Sequence, residues 1–227
     1  MPLEITRIKA LCFDVDGTLS DTDDQFVLKL VKWLSPMHLI CPNYDVMRAA
    51  RRLVMLTEGP GNWVYGMADR LGLDGKIVAL GDRLYQLGLG RSERPFELIR
   101  GIGEMLDNLH HHYTLSIISV RGHKSTLRFL QQFNLQPYFK VVVTGQTCRH
   151  TKPYPDPILW AASQIGVSTG ACLMVGDTVV DIQSGKKAGT QTVGVLCGFG
   201  ERQELERAGA DLILDKTTDL SGILLAG

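Results

Sequence analysis

The chain has 227 residues, enough to bury a full core as one large or two unequal domains, and its 24 basic residues are balanced by 24 acidic ones. Zero net charge and the lack of a basic run give no electrostatic footprint for nucleic acid or for an anionic membrane. No apolar stretch approaches the roughly 18 residues of a membrane helix, and Met1-Pro-Leu-Glu-Ile-Thr-Arg7 lacks a charged-then-apolar signal pattern, so a soluble, cytoplasmic protein is expected.

In chain order, residues 8–13 form a nearly continuous apolar run interrupted only by Lys9, the pattern of a parallel strand covered on both faces. Asp14 and Asp16 follow it. Their spacing of two puts both side chains on one side if the chain stays extended, an arrangement that is unfavourable unless a cation lies between them or one of them keeps a proton. Gly17 permits a sharp exit from the strand, and the Thr18 hydroxyl can bond a nearby carboxylate or backbone group. An Asp-rich turn with no chemistry is the competing explanation of these five residues.

Residues 20–95 carry helix-period apolar sets: Phe26, Val27, Leu30, Val31 and Leu34; Val46, Met47, Ala50, Leu53 and Val54; Trp63, Val64, Met67, Ala68 and Leu71; Ile77, Val78, Leu84, Tyr85 and Leu87. Beyond them, strand-like runs at 113–120, 140–144, 171–175, 190–196 and 210–214 alternate with helical stretches at 102–109, 124–133, 157–165, 179–188 and 201–208. Such alternation predicts an α/β fold with a doubly wound parallel sheet. The interval from Asp14 to Ser119 exceeds one βαβ crossover by on the order of 75 residues. Residues 1–19 and 96–227 are therefore expected to form the core, and residues 20–95 a small inserted α-helical cap with hinges near 19–22 and 88–95.

Loops at the carboxyl ends of parallel strands supply ligand groups, and three more of them carry suitable residues. Ser119 ends the second strand, where its hydroxyl and the Val120 N–H could hold phosphate oxygens. Lys152 stands in Thr151-Lys-Pro-Tyr-Pro-Asp-Pro157, a loop stiffened by three prolines, with Asp156 expected to cap the next helix. Gly176-Asp177-Thr-Val-Val-Asp181 adds a carboxylate at a strand end and another one turn into a helix, although Asp177 could instead be a helix cap. An all-oxygen acidic set with one Lys suits magnesium. Cys12, Cys41, Cys148, Cys172 and Cys197 show no Cys-X-X-Cys spacing and are expected to be reduced, mostly buried thiols. His110, His111 and His112 close a helix whose carboxyl end suits partly cationic side chains. Arg48, Arg51, Arg52 and Arg70 could meet a substrate anion or simply face solvent, and Trp63 and Tyr65 could line a pocket or pack in a core.

In order and spacing, Asp14-Val-Asp16-Gly-Thr18, Ser119, Lys152 in Lys-Pro-X-Pro, and Gly-Asp177-X-X-X-Asp181 resemble the four motifs of the haloacid dehalogenase superfamily. The resemblance spans essentially the whole chain and is nearest the phosphoglycolate phosphatase-like branch. It implies a Rossmann-like core and a magnesium-dependent phosphatase acting on a small phosphate monoester, phosphoglycolate-like or a sugar phosphate, with nucleoside monophosphates and pyrophosphate also open. An acid at Asp16 separates phosphate-ester chemistry from dehalogenase chemistry in this family. By the resemblance, Asp14 is the nucleophile that forms an aspartyl phosphate and Asp16 the acid and base. Ser119, Val120 and Lys152 hold the phosphoryl group, Asp14, the Asp16 carbonyl and Asp177 bind Mg2+, and Asp181 orients metal-bound water. The segment Val120-Arg121-Gly122-His123 departs from the family, where Asn commonly follows the Ser; Arg121 and His123 are open to substrate contact or to a surface role. A phosphomutase of the β-phosphoglucomutase type is the nearest alternative, and a phospho-Asp signalling or binding module the alternative of another class. The expected partner is a small phosphorylated metabolite, with no nucleic acid or membrane, and the protein is expected to be a monomer or homodimer.

Overall fold

In a computed structural model, residues 3–21 and 96–226 are described. The chain divides into two compact units, Met1–Asp23 with Phe96–Gly227, and Asp24–Pro95. The helices predicted for the cap, with its arginines, Trp63, Tyr65 and Cys41, lie outside the described residues.

Six strands are hydrogen-bonded in the order β3-β2-β1-β4-β5-β6, every pair parallel. They are β1 (Ala10–Phe13), β2 (Thr114–Ile118), β3 (Phe139–Val143), β4 (Cys172–Gly176), β5 (Gln191–Val195) and β6 (Leu212–Leu214). The helices between and after them are α1 (Ile102–Leu109), α2 (His123–Gln132), α3 (Asp156–Ile165), α4 (Val179–Ala188), α5 (Arg202–Ala208) and α6 (Asp219–Leu225). The predicted parallel α/β sheet is thus the observed one.

Residues 8–13 carry the pattern of a strand covered on both faces, and the alternation of side chains in β1 and its neighbour β4 shows why. Leu11, Phe13, Leu173 and Val175 join one core cluster with Ile102, Leu106 and Leu109 of α1 and Leu220 and Leu224 of α6. Their sequence neighbours Ala10, Cys12, Cys172 and Met174 join a second cluster with Ile158, Ala161 and Ala162 of α3. Each apolar side chain removed from water contributes roughly 1.5–3 kcal/mol, so both faces hold the central strands in register. Helix α6 escaped prediction because it is short and interrupted by Gly222; its two leucines complete the first cluster, and the Tyr113 hydroxyl donates to the Leu224 carbonyl at 3.0 Å.

Strand β1 lies between β2 and β4, where the chain order reverses. A sheet of this kind opens a crevice beyond the carboxyl ends of the strands at that point. The residues following β1, β2 and β4 are Asp14, Ser119 and Asp177. Next to them, the segments 19–21 and 97–99 are tied by Asp21 N–H to the Glu97 carbonyl (2.8 Å) and Ile99 N–H to the Leu19 carbonyl (3.1 Å). Of the cysteines, Cys12 and Cys172 are buried, Cys148 and Cys197 half-buried, and all four are free thiols. Among the described residues no helix is long and apolar enough to cross a membrane.

Candidate active site

The first carboxylate is placed by the sheet itself. The Asp14 N–H donates to the Val175 carbonyl of β4 at 2.9 Å, one step beyond the last β1 pair. The chain then turns tightly, with the Val15 carbonyl accepting from the Leu19 and Ser20 N–H groups at 2.9 and 2.8 Å. Gly17 sits in this turn at φ 73°, and a Cβ there would collide with the Asp177 carboxylate. Glycine is required twice over, by backbone angle and by space.

The turn sends the two carboxylates to different partners. Asp14 is buried, and its Oδ1 accepts from Lys152 Nζ at 2.7 Å. Asp16 lies nearer solvent, where Arg121 Nε and Nη2 donate to its Oδ2 and Oδ1 as a two-pronged clamp. The sequence suggested one cation or one proton for the pair; the structure gives each carboxylate a cation of its own.

Lys152 is fully enclosed, and its Nζ also donates to Asp181 Oδ1 at 2.6 Å. The opposite oxygen of Asp181 accepts from Thr178 N–H (3.0 Å) and from Thr178 Oγ (2.6 Å). Asp181 therefore closes the first turn of α4 and aims Lys152 with the same carboxylate. Thr178 is the N-cap residue of α4, so Asp177 does not cap it. Asp177 is instead held by the Thr18 hydroxyl, donating to Oδ1 at 3.2 Å, and by the Phe199 N–H, donating to Oδ2 at 2.8 Å. The predicted cap at Asp156 is also corrected: Pro155 is the N-cap of α3, and Asp156, within the first turn, has its Oδ1 3.0 Å from His150 Nδ1.

Ser119 is buried at the end of β2, and its Oγ accepts from the Arg121 N–H at 3.1 Å. Val120 is exposed at the rim beside it. His123 opens α2, its N–H donating to Gln146 Oε1. The sequence-predicted residues thus gather as Asp14, Lys152, Asp177 and Asp181 in one buried group, with Asp16 and Ser119 joined to it through the β1 turn and Arg121. His110, His111 and His112 precede β2, at the opposite, amino-terminal edge of the sheet from this site.

The Asp14 carboxyl is lifted to about 7, chiefly by burial, with Lys152 pulling it down and Asp181 and Asp16 pushing it up. For Lys152, burial works against the charge, but Asp14 and Asp181 outweigh it and hold the ammonium well above its ordinary range. Three buried carboxylates facing one ammonium leave the group with excess negative charge.

That excess bears on a metal. Oxygens of Asp14, Asp177 and Asp181 lie within 4.8 Å of one another, all three residues buried. Their hard oxygen donors suit a small divalent cation such as Mg2+, which takes one or two carboxylates and keeps several waters. The residues fit the ion that the sequence implied.

Two contributors were missed from sequence. The loop after β5 supplies the Phe199 N–H to Asp177, and a Cβ on Gly198 would strike the same carboxylate. The signal was Gly198-Phe-Gly200, glycines spaced around a strand end. Arg121 was left between substrate contact and surface; its guanidinium clamps Asp16 and lies 4.9 Å from the Phe96 ring centroid.

Residues 76–195 match the family Haloacid dehalogenase-like hydrolase. The chain is 29% identical to Pyrophosphatase PpaX of Bacillus cereus (strain AH820), covering 96% of this chain and 97% of that protein. Among solved structures, the fold is similar to a predicted phosphoglycolate phosphatase from Haemophilus somnus 129pt, with TM-score 0.63, 22% identity and coverage of 96% and 98%. A candidate beta-phosphoglucomutase from Thermotoga maritima is similar at TM-score 0.67, 20% identity and coverage of 96% and 99%.

Proposed function

The chain belongs to the haloacid dehalogenase-like hydrolase family, and from that premise we propose that it is a magnesium-dependent phosphatase, releasing inorganic phosphate from a small phosphate monoester or diphosphate through a phosphorylated Asp14. The observation that carries this reading is Lys152 Nζ held between Asp14 and Asp181, at 2.7 and 2.6 Å, beside Asp177 at the crevice end of the sheet.

Phosphate esters resist hydrolysis because an anionic nucleophile is repelled and the alkoxide leaves poorly. Splitting the displacement addresses both difficulties. Asp14 attacks phosphorus as its bond to the bridging oxygen breaks, and Asp16 gives a proton to that oxygen. Asp16 then takes a proton from water as the water attacks the aspartyl phosphate, returning Asp14 as a carboxylate and releasing phosphate. Lys152 offsets the charge of the transferring group, and the Ser119 hydroxyl with the Val120 N–H holds its oxygens. Asp14, the Asp16 carbonyl and Asp177 would hold Mg2+, with Asp181 orienting its water. When bound, the ion neutralises the repulsion between nucleophile and phosphate.

By the family resemblance, residues 20–95 are the helical cap domain that selects the organic part of the substrate. A small diphosphate and phosphoglycolate head the substrate class, because the relative of Bacillus cereus is a pyrophosphatase and a similar fold carries the phosphoglycolate phosphatase name. The test is phosphate release over a panel of phosphometabolites with and without Mg2+, wild type against Asp14→Asn. Metal-dependent release lost in the variant supports the reading; equal turnover by both proteins removes it. Formation of an isomeric sugar phosphate in place of free phosphate would mark a mutase.

A further inference from the structure

The clamp on Asp16 points to the chemistry of the leaving group. Arg121 is pinned at both ends: its N–H donates to Ser119 Oγ at 3.1 Å, its carbonyl accepts from the Gly145 N–H at 2.9 Å, and its guanidinium lies by the Phe96 ring. The side chain is only 15% exposed, that of Asp16 22%. A planar guanidinium at a partly buried rim is a two-pronged receptor for carboxylate or phosphate, which a lysine would not reproduce.

In the phosphatase reading, on which this inference rests, Asp16 must turn an oxygen toward the bridging oxygen of the substrate. The clamp uses both Asp16 oxygens, so turnover requires at least one of these bonds to open. A guanidinium that releases one oxygen at this rim can take an incoming anion in its place, and the atom next to the opened oxygen belongs to the leaving group. We propose that Arg121 is the specificity residue of a leaving-group subsite: its guanidinium moves from Asp16 onto a phosphate or carboxylate of the leaving group, selecting substrates with a second anion close to the scissile phosphate. Arg121 takes no part in bond making. Neutral leaving groups offer nothing in exchange, and the loss of one charge-assisted hydrogen bond sets the discrimination at on the order of 10- to 100-fold in kcat/KM.

The experiment compares kcat/KM for phosphoglycolate, for 2-hydroxyethyl phosphate, which replaces the carboxylate by a neutral hydroxymethyl of similar size, and for pyrophosphate. Wild type, R121K, R121Q and R121L are measured in Mg2+. The expected result is a wild-type preference of at least about 10-fold for an anionic leaving group, falling to near one in R121L and R121Q and recovered in part by R121K. Preference for phosphoglycolate alone assigns the subsite to a carboxylate, for pyrophosphate alone to a phosphate. A wild-type ratio near one overturns the proposal without any variant, as does a loss in R121L that falls equally on charged and neutral substrates. The underlying phosphatase reading fails separately, when wild type releases no phosphate from any of them or Asp14→Asn still does.

Discussion

Two cationic sites stand side by side at this rim and are built differently. Lys152 is 2% exposed in its side chain and bonded to two carboxylates that are 8% and 0% exposed, one of them tied into the first turn of α4. Arg121 clamps the Asp16 carboxylate, both partners reach solvent, and the arginine is anchored by an aromatic ring and loop backbone. A charge enclosed by two fixed anions cannot move without leaving a buried ion unpaired, whereas a rim clamp can exchange partners with what arrives from solution. In the proposed reaction, the contrast separates a constant part, the phosphoryl group, from a variable one, the leaving group.

The comparison breaks most completely at its shared centre. Asp14→Asn removes the proposed nucleophile and is expected to lower kcat at least about 10^4-fold, measured as phosphate release in saturating Mg2+. Residual turnover within about 10-fold of wild type would place the covalent step elsewhere. Lys152→Met tests the enclosed site directly. It leaves Asp14, Asp177 and Asp181 with no ammonium among them, and breaking such a buried pair costs about 3–5 kcal/mol. Chemical denaturation should show that loss, together with the loss of turnover, while R121L, at the partly wet rim, should cost less than half as much stability. Equal losses would mean that the two cations are equally structural and the contrast false.

A third test uses pH. The Asp14 carboxyl is raised from its ordinary 3.8 to about 7, chiefly by burial, so the folded chain binds this proton more tightly than the unfolded chain. The resulting stabilisation is fully present below pH 4 and is lost as pH climbs through about 7; the sign is opposite to that of a carboxylate stabilised by its partner. Lys152, raised above its ordinary value, contributes stability that persists below about pH 10 and does not change over this window. In EDTA the melting temperature of wild type relative to Asp14→Asn should therefore fall between pH 5 and pH 8, by an amount reflecting a few kcal/mol at most. Mg2+ should restore it, and more at pH 8 than at pH 5, because the ion binds the ionised carboxylate. A parallel pH course for the two proteins would show that Asp14 is already ionised without metal.

Much of this could be read from the chain. Strands betray themselves when both faces are covered, as the paired clusters around Leu11 and Cys12 explain. Asp14, Lys152 and Asp177 were legible because each follows or stiffens a strand end in a known order. What the sequence hid was pairing. Nothing in Arg121 tells whether it faces water or the Asp16 carboxylate 105 residues away, since a loop arginine carries no periodicity. The Phe199 N–H was hidden for another reason: any residue supplies that donor, and only the glycines on either side mark where backbone must approach a carboxylate. The cap assigned to Asp156, and the cap that competed with a ligand role for Asp177, both fell to neighbours. Pro155 and Thr178 precede the helices, and each Asp found a different partner.

The smallest expected effect sharpens the constant half of the contrast. The Thr18 hydroxyl and the Phe199 N–H both aim Asp177, and of these the hydroxyl can be removed by a substitution that leaves the backbone in place. The Thr18 carbonyl is separately fixed by the Thr217 hydroxyl at 2.7 Å, so Thr18→Val keeps its position and its volume and deletes one hydrogen bond to a buried carboxylate. Loss of that donor costs about 1–3 kcal/mol, and a carboxylate held less firmly binds metal about 10- to 100-fold more weakly. The Mg2+ concentration for half-maximal phosphate release should rise accordingly, with kcat at saturating metal largely retained and Thr18→Ser restoring the wild-type value. The leaving-group preference should not move in either variant, because Arg121 and Asp16 do not depend on that hydroxyl. If Thr18→Val altered the preference and left the metal requirement unchanged, the division between a fixed phosphoryl site and an exchangeable clamp would be drawn in the wrong place.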